Sequence, residues 1–311
     1  MNLSINLAPQ HPDGLVLKNP VMTAAGPYDY GKQFTRLLDL GRLGALVTRG
    51  TTLRPQAGQS PPRLAPAPAG VLHHLARPNP GVRAVIRDYA PLWAAWALPV
   101  IVSIAGRDAG EYAALGAALD GVPGVAGLEA DLSCPAAEAN GEPFGYDAAL
   151  SWQVIHGLRQ TCSLPILAKL PLRLPGMVQV AQAVTLAGAD AVTLVSPLPA
   201  LSMDVDRRRV GLRGELSGPA LRPVALRCLF DVALALPHVP LVGVGGIATG
   251  EDAVAYLLAG ASAVQVGAAA LADPRAPLVV LKGIEEYMQR QRMEDMRYLV
   301  GAALEKTEPA G

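Results

Sequence analysis

Eight short runs dominated by β-branched and other apolar residues recur along the chain, at 21–24, 45–49, 100–104, 125–132, 166–170, 191–195, 241–244 and 263–266. Runs of this length and composition read as buried strands of a parallel sheet. Between the later ones, apolar residues fall at helical spacing over 147–161, 177–187, 220–236 and 251–259, which predicts helices packing one face on the sheet. Strand and helix in alternation specify a parallel α/β architecture. Eight strands suit closure into a (β/α)8 TIM barrel. An open doubly wound sheet is the competing arrangement, but no G-x-G-x-x-G turn follows the early strands.

Three segments depart from the alternation. Residues 3–7 and 15–18 can pair as a hairpin closing the barrel bottom. Residues 51–79, rich in Pro and Gly, predict a long structured loop after the second strand. Residues 135–145, with Asn140, Gly141 and Gly145, suit a mobile flap after the fourth. Both loops belong to the C-terminal face, where barrel active sites are built. The chain reads as one domain over 1–305 with a frayed tail at 306–311.

Composition narrows the partners. The 26 basic and 26 acidic residues cancel and lie interspersed, so no footprint for nucleic acid or an anionic membrane is visible. No apolar stretch is long enough to span a bilayer, and no secretion signal opens the chain. The expected setting is the cytoplasm and the expected ligand a small molecule. Cys134, Cys162 and Cys228 are widely spaced with no C-x-x-C pair, which points to free thiols and no metal site. Each taken alone reads as a small buried apolar residue.

Chemistry concentrates at the strand ends. The seventh run continues into Gly245-Gly-Ile-Ala-Thr-Gly250 and then a helix, and the eighth ends in Gly267-Ala268. Glycines let backbone N–H groups converge on a phosphate, and a helix N-terminus adds favourable partial charge. The last two βα loops are where phosphate sites recur in barrels. Lys169 ends an otherwise apolar strand, and an ammonium buried without a partner is costly, which favours a functional role.

Asp131-Leu-Ser-Cys-Pro135 resembles the N-[LI]-S-C-P-N motif of the class 1 dihydroorotate dehydrogenases. The match extends to Asn19-Pro-Val-Met-x-Ala-Ala-Gly26, Thr51-Thr-Leu-x-Pro55, Pro68-Ala-Gly70, Asn79-Pro-Gly81, Ala168-Lys-Leu170, Leu216-Ser-Gly-Pro-Ala220 and the glycine block from 243 to 267. Coverage runs from about residue 3 to 285. The loop after the second strand looks most like the subclass that pairs with an iron-sulfur, FAD-bearing electron-transfer subunit. The resemblance implies an FMN enzyme, a homodimer, oxidising dihydroorotate to orotate in pyrimidine biosynthesis. It implies that Cys134 is the base and that Lys169 sits at the flavin pyrimidine ring. The cofactor site it implies comprises Ala24, Ala25, Gly26, Arg49, Ser103, Lys169, Val195, Ser217, Gly218, Gly245, Gly246, Gly267 and Ala268.

The substrate pocket departs from that family. His73, Asp131, Ala136 and Ser196 stand where the family places asparagines, which can both donate to and accept from the substrate. Ser103 and Arg49 replace an asparagine and a lysine near the flavin. His73, Asp131, Ser133 and Ser196 are therefore the expected substrate contacts, with Asp131 set to repel a substrate carboxylate. His73 and His74 by themselves read as solvent-facing loop residues. A related flavin enzyme acting on a different substrate is the alternative. A tRNA dihydrouridine synthase type of barrel requires a basic RNA-binding face, which a neutral chain lacks. A non-catalytic barrel would not need both Cys134 and Lys169.

Overall fold

The computed structural model describes residues 1–75, 77–137 and 140–304; the tail expected to fray, 306–311, lies outside them. Eight parallel strands form the core: β1 (Val21–Thr23), β2 (Leu46–Val47), β3 (Val100–Ile104), β4 (Gly127–Asp131), β5 (Ile166–Leu170), β6 (Ala191–Leu194), β7 (Leu241–Val244) and β8 (Ala263–Val266). Each pairs with its neighbour in sequence, and β8 pairs with β1. A parallel bridge between Met22 and Ala45, with the Thr23 side chain bonded to both N–H and C=O of Val47, closes the ring between β1 and β2. This is the (β/α)8 barrel.

Local chemistry accounts for the helices. Ala148–Thr161 starts where Asp147 accepts from the N–H groups of Ala149 and Leu150, an N-cap that offsets unpaired donors. Met177–Leu186, Arg222–Ala235 and Gly250–Leu258 match the other predicted helices to within two residues at each end. Pro223 in the first turn suits the start of Arg222–Ala235. The crossover from β1 to β2 carries only two short 3-10 turns, Phe34–Arg36 and Leu40–Arg42.

The predicted bottom hairpin forms between Ile5–Asn6 and Val16–Leu17. Its Leu7, Leu15 and Leu17 pack with Met22, Val47, Ile101, Leu167 and Val242 in an apolar cluster inside the barrel. A second cluster fills the space between strands and helices.

A four-stranded antiparallel sheet differs from expectation. Within the segment read as a loop, Leu64–Ala67 and Gly70–His73 form a hairpin. It joins a second hairpin, Leu198–Asp204 with Arg209–Ser217, inserted after β6. That insertion was not predicted because its alternation is inverted: Leu201 and Met203 face out, while Ser202 and Asp204 are the more covered. Pro66 and Pro199 lie on the two edge strands, where a missing ladder donor is tolerated. Gly70 approaches the neighbouring strand so closely that a Cβ would stand 2.5 Å from the Ser217 carbonyl.

The upper layer of the barrel interior is polar. Glu129, Lys169, Thr193 and Gln265 are all buried. The Lys169 ammonium lies 3.6 Å from Glu129 Oε1 and 3.5 Å from Gln265 Oε1. Glu129 Oε2 accepts from Thr193 Oγ1 at 3.1 Å and from Gln265 Nε2 at 2.5 Å. Lys169 thus has the partner that its sequence context alone did not reveal. The available signal was a glutamate two residues before Asp131 inside an apolar run.

Two stability outcomes follow. Leu17→Ala, emptying part of the bottom plug, costs about 2–5 kcal/mol, read as a shift in the urea midpoint. Glu129→Ala strands the ammonium and costs about 3–5 kcal/mol, whereas Glu129→Ala with Lys169→Met costs less than the single change.

Candidate active site

The cleft above the polar layer has two lobes that share Ala25, Gly26, Arg49, His73 and Lys169, among others. One, of about 290 Å3, is lined by Ala24, Val195, Ser217, Gly218, Gly245, Gly246, Gly267 and Ala268 in addition to the shared residues. The other, of about 500 Å3, is lined by Ser103, Asp131, Ser133 and Ser196. Every residue expected at the cofactor or the substrate lines one lobe or both. His74, Arg77, Arg213 and Glu215 line the second lobe too, and the motif comparison did not indicate them. Cys134 lines neither lobe. It faces a separate cavity of about 320 Å3 with Thr52, Arg107 and Glu111, and Arg77 lines both that cavity and the larger lobe.

At the closed end, β7 gives way to Gly245 and Gly246, both with positive φ. At Gly246 a Cβ would meet the Gly218 carbonyl at 2.9 Å and the Arg222 backbone nitrogen at 3.0 Å, so the turn excludes a side chain. The helix behind it is less open than expected. Asp252 accepts from the N–H groups of Ala248 and Thr249 at 3.0 and 2.9 Å, Thr249 caps Asp252 in return, and Arg222 pairs with Asp252. The capping box takes up the Ala248, Thr249 and Asp252 N–H groups, and the donors open to a phosphate include those of the glycines ahead of the helix and of Gly267 and Ala268. The opening also carries buried hydroxyls without hydrogen-bond partners among the described residues, Ser103 Oγ and Ser196 Oγ. Buried polar atoms left bare in a cleft are suited to a polar ligand. The cradle and these atoms fit a phosphorylated, heteroatom-rich cofactor.

Arg49, Arg77 and Lys169, which line the larger lobe, are each paired with a carboxylate. Arg49 Nε lies 3.2 Å from Asp29. Arg77, on a left-handed backbone with φ 47, donates to Asp131 Oδ2 at 3.2 Å through Nε and to Ser133 Oγ at 3.1 Å through Nη2. Such a conformation persists in a non-glycine residue only when its surroundings impose it. Arg77 therefore clips the loop after β2 to the turn that carries Cys134. This corrects the expectation for Asp131, which is paired and not bare. Burial pushes the Asp131 carboxyl up, but Arg77, Lys169 and hydrogen bonds from Ser133 outweigh it and hold it below the usual range.

Burial pushes the Cys134 thiol up to about 12. Arg77 and a Tyr112 hydrogen bond oppose that rise, while Asp131 and Glu215 add to it. His73, also expected in the pocket, shares a 2.8 Å hydrogen bond between Nε2 and Ser217 Oγ. Burial, then His74, lowers its pKa, so the ring is neutral near pH 7. Burial likewise raises Glu215. Ala136 is buried beside the Cys134 turn.

Comparison with known proteins is consistent along the whole chain. A family model described as "Dihydroorotate dehydrogenase" matches residues 10–288. A protein of Desulforudis audaxviator (strain MP104C) is 46% identical over 93% of this chain and 95% of its own length. Relatives from Geotalea uraniireducens (strain Rf4) and Geotalea daltonii (strain DSM 22248 / JCM 15807 / FRC-32) are 40% and 41% identical, over 97% and 93% of this chain and 98% and 95% of their own. All three are named "Dihydroorotate dehydrogenase B (NAD(+)), catalytic subunit". Among the described residues no helix is long and apolar enough to cross a membrane. With its barrel, its glycine cradle and near full-length identity to these relatives, the chain belongs to the dihydroorotate dehydrogenase family of flavin-dependent oxidoreductases.

Proposed function

We propose that the chain oxidises (S)-dihydroorotate to orotate in pyrimidine biosynthesis, with FMN as its cofactor. The observation that carries this reading is the likeness, over nearly the whole chain, to proteins named catalytic subunits of dihydroorotate dehydrogenase B. The expectation of another substrate rested on the replaced asparagines, with Asp131 set to repel a carboxylate; the relatives' names do not favour it, and Arg77 offsets the Asp131 charge.

Gly245, Gly246, Gly267 and Ala268 would hold the FMN phosphate, and Ala24 to Gly26, Val195, Ser217 and Gly218 would line the ring system. When bound, FMN supplies the acceptor for the hydride that leaves C6 of the substrate. Lys169, held by Glu129, keeps a positive charge at the base of the cleft. Cys134 takes the proton from C5; it lies outside the larger lobe, and Arg77 lines both that lobe and the cavity that Cys134 faces. The relatives' names support a subunit of a larger assembly, which we read as a homodimer joined by an iron-sulfur, FAD-bearing electron-transfer subunit. Three cysteines in the chain fall short of the four that an iron-sulfur cluster normally takes, so electrons leave to a partner protein or a diffusible acceptor.

Reduction of the FMN-loaded protein by dihydroorotate tests the reading, and a flavin that stays oxidised at every pH overturns it. Cys134→Ala slows that reduction about 10²- to 10⁴-fold in stopped-flow measurements. Because the thiol titrates high, thiolate is scarce at neutral pH and grows as pH rises. The wild-type rate therefore climbs about tenfold per pH unit from neutrality toward about 12. A plateau near about 8.5, the ordinary thiol value, means that the base is not held by burial.

A further inference from the structure

Charge bookkeeping around the larger lobe singles out one side chain. Arg49 is matched by Asp29, Arg77 by Asp131 and Lys169 by Glu129. Arg213 has no ion pair and no side-chain hydrogen bond among the described residues, yet it lines the same lobe. Two residues on, Glu215 lines the lobe as well, and its nearest basic group is His73 Nδ1 at 3.9 Å. Glu215 has no side-chain hydrogen bond among the described residues, and the strongest charge acting on it is that of Arg77, already bonded to Asp131.

Both residues lie on the inserted strand Arg209–Ser217, and a strand places residues two apart on one face. Gly214 between them packs tightly against the neighbouring strand, where a Cβ would stand 2.2 Å from the His73 carbonyl. Glu215 pairs in register with His73. Backbone packing thus fixes this pair over the opening, on an element separate from the cysteine loop.

We propose that Arg213 and Glu215 form the substrate-recognition edge of this enzyme, Arg213 holding the carboxylate of the ring acid and Glu215 accepting from a ring N–H. The proposal rests on the dihydroorotate reading. Dihydroorotate and orotate carry a carboxylate beside ring N–H and C=O groups. An asparagine can serve both kinds of group at once, but the positions expected to supply asparagines hold His73, Asp131, Ala136 and Ser196. A guanidinium binds a carboxylate through two parallel bonds, and an ionised carboxyl is an acceptor for N–H donors. The dual role of an amide is here divided between a cation and an anion.

The test is orotate binding to the FMN-loaded protein, followed by flavin absorbance or calorimetry. Arg213→Ala weakens orotate about tenfold or more, as loss of a charge-assisted contact at an open site requires. Arg213→Lys recovers part of that loss. Arg213→Ala also raises KM for dihydroorotate with little change in kcat. Inhibition by uracil, the same ring without the carboxylate, is unaffected by Arg213→Ala and weakened by Glu215→Ala. Arg213 is exposed and has no ion pair among the described residues, so flavin content and melting temperature stay at wild-type values. If the wild type binds orotate and Arg213→Ala binds it within about twofold, the proposal is overturned and the functional reading stands. If the wild type neither binds orotate nor oxidises dihydroorotate, the functional reading falls and the proposal falls with it.

Discussion

Keeping an ammonium inside a barrel constrains everything above it. A buried cation needs an anion and a full set of hydrogen bonds, because its desolvation would otherwise cost several kcal/mol. Lys169 has its anion in Glu129, 3.6 Å away and held in turn by Thr193 and Gln265, but only one hydrogen bond among the described residues, to Gln265. The four residues come from β4, β5, β6 and β8, so the network depends on correct register around much of the ring. An apolar plug sealed by the bottom hairpin lies beneath it. The division into a dry lower half and a polar upper half places the charge where a flavin would meet it.

The same accounting organises the cleft. Arg49, Arg77 and Lys169 are each committed to an internal carboxylate. These pairs act mainly as scaffolding: Arg77 joins the loop after β2 to the Cys134 turn, and Asp131 loses the repulsion that its sequence position suggested. Free charge for a ligand is left at the rim, on a hairpin that the barrel does not need for closure. Division between a rigid, internally neutralised floor and a charged, accessible edge fits an enzyme that must hold a cofactor permanently and release a small anion at each turnover.

The repeating parts of the barrel were legible in the sequence because local rules govern them. Apolar runs mark the strands, helical spacing marks the helices, and Gly245-Gly246 marks the turn proposed to hold a phosphate. Strand ends were blurred where polar residues face the barrel interior, as in 125–132, of which only Gly127–Asp131 is strand. The four-stranded outer sheet was hidden because its hairpin turns apolar Leu201 and Met203 outward and pairs with a segment more than a hundred residues earlier.

By itself the sequence determined the barrel, the glycine cradle, the cysteine loop and Lys169, since each is carried by a contiguous run whose chemistry is readable without neighbours. Only the tertiary structure decided which charges are spent and which are free. Glu129 meets Lys169 across forty residues of chain, and Arg77 meets Asp131 across fifty-four. Those distances collapse only when the ring closes and the loops fold over it. Asp131 looked like a liability in the sequence and is a neutralised anchor in the fold, and Arg213, unremarked in the sequence, is left as the unpaired cation at the cleft among the described residues. Pairing is a property of three-dimensional proximity, which no local pattern encodes.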